Sequence, residues 1–63
     1  MTLREMRQRA GLTQQEVARL FNLGRGAVCA WEKGKCAPKI GYLEKLASVY
    51  GVEPKQIIEA VSR

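Results

Sequence analysis

Residues 12–34 read LTQQEVARLFNLGRGAVCAWEKG, and this stretch decides the fold. Thr13 followed three positions later by Glu16 is a capping-box pattern, in which the threonine oxygen and the glutamate carboxylate each take a free backbone N–H at a helix start. Val17, Ala18 and Phe21 then recur at the three- and four-residue spacing of one helical face. The spacing predicts a helix over about 14–21, ended by Asn22, a residue that tolerates the left-handed conformation. A further helix is predicted over 25–33, stopped by Gly34. At about 100° per residue it turns Val28 and Trp31 to one side and Gly26, Cys29, Ala30 and Lys33 to the other. The four residues Asn22 to Arg25 join the two helices, so helix, tight turn and helix follow within 14–33.

The same spacing extends outward in both directions. Thr2 can cap a first helix with Leu3, Met6 and Ala10 on its inner face and Gly11 at its end. Lys33 to Lys39, with three lysines, Gly34 and Pro38, reads as a basic loop. A helix over about 40–50 carries Ile40, Leu43, Leu46, Ala47 and Tyr50 on one stripe before Gly51. Pro54 suits the first position of a last helix carrying Ile57, Ile58 and Val61. Leu20 and Tyr42 fall outside these stripes. No strand-like alternation or internal repeat appears, so the expectation is an all-α chain: five short helices around one core, with 1–63 a single domain. A chain of 63 residues, against roughly 100–200 for a typical domain, has no room for a second core.

Charge narrows the function. The net charge is +5, and residues 1–39 carry all of the excess: eight Lys and Arg against Glu5, Glu16 and Glu32, while the remainder is balanced. A field concentrated in one part of a small domain attracts polyanions, nucleic acid above all. No apolar run of about 18 residues and no secretory signal pattern is present, so a cytoplasmic protein away from membranes is expected. There is no histidine and no aspartate, and Cys29 and Cys36 alone cannot complete a four-ligand zinc site. Neither an enzyme nor a metal or cofactor protein is therefore expected, and the two thiols read as reduced.

The run Leu12 to Ala18, then Val28, Trp31 to Lys35, Pro38, and Leu46-Ala47 with Tyr50-Gly51-Val52, closely resembles the phage repressor and Cro-like helix-turn-helix family over residues 3 to about 60. The resemblance implies a lambda-repressor-like fold whose third helix lies in the major groove of DNA. It implies base-reading positions at Arg25, Gly26 and Ala30. Of these only Arg25 is equipped for direct readout, by two hydrogen bonds to guanine; Gly26 has no side chain and Ala30 can touch a thymine methyl. It also implies a DNA-backbone contact at Gln14 and a partly buried salt bridge between Arg7 and Glu32. Gly24 departs from the family, which places a Ser or Thr cap there.

The residues themselves add candidates. Gln14 and Gln15 open a helix, where free N–H groups and the positive dipole end suit a phosphate. Lys33 and Lys35, with Lys39 beyond them, lie just past the reading helix and would meet neighbouring phosphates. The resulting expectation is a sequence-specific, repressor-like transcriptional regulator that binds double-stranded DNA as a homodimer on a pseudo-palindromic site. The alternative is an antitoxin-like adaptor that binds mainly a protein partner, a reading favoured by the small, bland surface of Gly24, Gly26, Cys29 and Ala30. Trp31 shares a face with Val28 and belongs to the core.

Overall fold

The computed structural model describes residues 1–61, which form five α-helices and, among the described residues, no strand. They are α1 (Leu3–Arg9), α2 (Gln14–Leu20), α3 (Arg25–Lys33), α4 (Ile40–Tyr50) and α5 (Pro54–Val61). The capping box at Thr13 is formed: its hydroxyl accepts from the Glu16 N–H at 3.1 Å, and the Glu16 carboxylate accepts from the Thr13 N–H at 2.9 Å. The same device opens α1, where Thr2 has Glu5 as its reciprocal partner. At α3 the cap position is Gly24, which offers no side-chain bond.

The end of α2 explains the tight turn. Leu23 N–H donates to Ala18 C=O at 2.8 Å and Asn22 N–H to Arg19 C=O at 3.1 Å, the paired bonds of a Schellman closure. That closure needs a left-handed residue, and Asn22 supplies it with φ of 59°. Phe21 has already left helical geometry, so the link to α3 runs from Phe21 to Gly24, one residue earlier than the spacing predicted. Gly34, with φ of 76°, closes α3 in the same way.

The helices pack α2 on α3 and α4 on α5, with α1 touching α3, α4 and α5. The core is Leu3, Met6, Val17, Ala18, Phe21, Val28, Trp31, Leu46, Ala47, Tyr50 and Ile57. Three residues predicted for it lie outside. Ala10 is exposed because the helix has ended there. Ile40, the first residue of α4, is 86% exposed because the side of that turn packed on the core is the one carrying Tyr42 and Leu43. Ile58 is 48% exposed because its neighbour Ile57 takes the inward position about 100° away around α5. Leu43 and Val61 are only partly buried. Tyr42 moves the other way: its ring meets Phe21 edge-on at 5.2 Å, and Phe21 meets Trp31 edge-on at 5.7 Å. Lys45 Nζ lies over the Phe21 ring, 4.9 Å from its centroid, and donates to the Leu20 carbonyl. This aromatic cluster pins the start of α4 to the α2–α3 pair, a gain of about 0.5–1.5 kcal/mol per ring pair beyond area burial.

Candidate nucleic-acid interface

The inward face of α3 holds Val28 and Trp31, so its opposite face is left to solvent. Arg25, Cys29 and Lys33, spaced by four, share one line of that outer face. They border a concavity of about 670 Å³ whose other walls are Arg4 and Arg7 of α1 and Thr13, Gln14 and Gln15 at the start of α2. Four of the predicted DNA-contacting residues, Gln14, Gln15, Arg25 and Lys33, are thus brought together around one hollow. Gly26 and Ala30 lie on α3 outside its lining, Gly26 exposed and Ala30 half-buried. A Cβ added at Gly26 would meet nothing within 4 Å, so the reading surface there is open. Lys35 and Lys39 are exposed in the loop beyond α3 and do not line the hollow.

One buried network holds the walls in place. Arg7 Nε donates to Glu32 Oε2 at 2.6 Å, and Arg7 Nη1 donates to the Leu12 carbonyl at 2.8 Å. Gln14 Nε2 donates to Glu32 Oε1 at 3.0 Å. A carboxylate only accepts hydrogen bonds, so the amide nitrogen of Gln14 is the atom turned toward it, and its second N–H stays available. The Arg7 and Glu32 side chains are 11% and 6% exposed, which makes this a charge pair withdrawn from water and tying α1, α2 and α3 at one point. Its field reaches α4: the Tyr50 phenol is pushed up to about 12, first by burial and second by the charge of Glu32.

The network also sets the electrostatics of the hollow. Four cations line it against the single carboxylate of Glu32, which is already paired with Arg7. Among the described residues Arg4, Arg25 and Lys33 are left uncompensated in a concave wall, an arrangement that focuses positive potential outward. Arg4 was not among the residues singled out in the sequence. The available signal was its position three before Arg7, which places both on one face of α1. Among the described residues no cluster of three metal-ligating side chains occurs, and Cys29 and Cys36 are free thiols. None of the described helices is long and apolar enough to cross a membrane.

Known proteins resemble this chain in sequence over most of its length. The chain is 38% identical over 56 residues to the cryptic phage CTXphi transcriptional repressor RstR of Vibrio cholerae, a match covering 89% of this chain and 50% of the repressor. It is 42% identical over 50 residues to the HTH-type transcriptional regulator PuuR of Escherichia coli K12, covering 79% of this chain and 27% of that regulator. PuuR of Shigella flexneri matches to the same extent. The chain therefore spans half or less of the length of these relatives. No solved structure matches it. Residues 1–59, which include all of the walls of the concavity and the network behind it, match the helix-turn-helix domain family, and to that family the chain belongs.

Proposed function

We propose that the chain binds double-stranded DNA sequence-specifically and regulates transcription by occupying its site. The observation that carries this reading is the outer face of α3, which meets the start of α2 and, among the described residues, leaves Arg4, Arg25 and Lys33 uncompensated around one hollow. Two transcriptional regulators among its relatives support it. In this reading α3 lies in the major groove and Arg25 reads a base edge, with Gly26 and Ala30 approaching the bases without hydrogen-bonding side chains. Gln14 and Gln15 meet a phosphate at the positive end of α2, and Lys33, Lys35 and Lys39 meet the phosphates beyond α3. The protein acts in the cytoplasm, as a homodimer on a pseudo-palindromic site, without catalysing a reaction.

Selection of bound sequences from a random duplex pool at fixed salt tests this. The expected outcome is a sharp motif with two-fold symmetry. Recovery of no preference would overturn it and leave the protein-binding adaptor, which the open surface at Gly24 and Gly26 would then serve.

A further inference from the structure

Three of the arginines lie on α1, and their environments differ. Arg7 is buried against Glu32 and the Leu12 carbonyl. Arg9 is exposed on another side of the helix, beside Met1, Glu5 and Gln8. Arg4 is exposed, has no ion pair or hydrogen bond among the described residues, and stands at the rim of the hollow that Arg25 and Lys33 also line.

We infer that Arg4 is a DNA-backbone contact, and that α1, outside the helix-turn-helix pair, supplies part of the grip on the phosphates. The inference rests on the DNA reading above and deepens it. The one carboxylate lining the concavity, Glu32, is paired with Arg7 and accepts from Gln14, and makes no bond to Arg4. The neighbouring Glu5 is held by Thr2 in the α1 capping box. The charge therefore looks outward for an anion, and a guanidinium fork fits phosphate oxygens two at a time. The hollow of about 670 Å³ places Arg4, Lys33 and Gln14 around one concave surface, where a passing phosphate backbone can meet all three. Because α1 stays outside the groove, this contact adds affinity without adding sequence information.

The ligand chemistry is phosphate, and a free phosphate ion is the other source of it. The test measures the slope of log affinity against log salt on two unrelated duplexes for the unaltered chain, Arg4→Ala, Arg4→Lys and Arg9→Ala, and titrates inorganic phosphate by amide chemical shifts. Arg4→Ala should make the slope shallower by about 0.9 per chain on both duplexes alike, Arg4→Lys should largely keep it, and Arg9→Ala, which removes the same charge elsewhere on α1, should change it by much less. Arg4 is exposed and without a partner among the described residues, so the thermal melts of Arg4→Ala and Arg4→Lys should coincide with that of the unaltered chain. An unchanged slope in Arg4→Ala, or equal losses in Arg4→Ala and Arg9→Ala, would overturn the contact while leaving the DNA reading intact. Saturation of the hollow by inorganic phosphate with unchanged DNA slopes would overturn it in favour of a small-anion site. Failure of the unaltered chain to bind either duplex would overturn both readings.

Discussion

Glu32 is the residue on which the fold and the interface meet. Its two oxygens receive Arg7 and Gln14, so one side chain both neutralises a buried guanidinium and orients an amide at the rim of the concavity. Removing one member of such a pair strands the other charge away from water. Arg7→Ala should therefore destabilise by about 3 kcal/mol, and Gln14→Ala, which removes a hydrogen bond to a charged group, by about 1.5 kcal/mol. Urea titration of Arg7→Ala, Glu32→Ala and the double variant checks this; strict additivity would mean that the two side chains do not interact. Spacing alone does not reveal the pair, since Arg7 and Glu32 are 25 positions apart, and their partnership came from the resemblance. Arg4 was missed for a related reason: a cation on a helix surface looks like solvated charge until the neighbouring helix closes a wall around it.

At the scale of the helices, starts and stops were the most legible feature, because they are local chemistry. Thr13 and Glu16 form their box within four residues of chain, and the left-handed turns fall to Asn22, whose short polar side chain tolerates them, and to Gly34, which has no Cβ to clash. Burial was less legible where a stripe ran to the end of a helix, as at Ile40, since periodicity fixes direction but not whether a neighbour is present on that side. The capping boxes also make stability depend on pH. Glu5 and Glu16 are both held below the ordinary value of 4.5, chiefly by the backbone N–H that each carboxylate accepts from its threonine. A depressed folded-state value means that the stabilisation is fully present above about 4.5 and is lost as pH falls through the lowered value. Glu16→Gln keeps an acceptor at the same position but cannot be protonated there, so its acid limb should be shallower than that of the unaltered chain. Thermal melts between about pH 2 and 5 measure this, and superimposable acid limbs would remove Glu16 from the acid response.

For the whole molecule, the charge distribution and the geometry of reading have to be separated, because in the proposed function both raise affinity for DNA. The excess of positive charge lies within residues 1–39, and in the proposed reading much of it meets phosphates that are identical under every base. Sequence information must therefore enter through few side chains, and Arg25 is the only long hydrogen-bonding one among Arg25, Gly26 and Ala30. It is exposed, sits at the first position of α3 and has no hydrogen bond or ion pair among the described residues, so nothing within the fold competes for its donors. If it grips guanine, Arg25→Ala should flatten the preference at one base pair of each half-site, by about 1–3 kcal/mol, and leave every other position as it was. A two-fold assembly makes a second demand: on a symmetric site the loss should occur twice, so a duplex altered in one half-site should show half the penalty of one altered in both. A phosphate contact would behave differently, weakening all duplexes alike and shifting the salt slope by about 0.9 per chain. Binding of Arg25→Ala to a panel of single-base variants, on intact and half-altered sites, distinguishes these outcomes, and uniform weakening across the panel would remove Arg25 from direct readout.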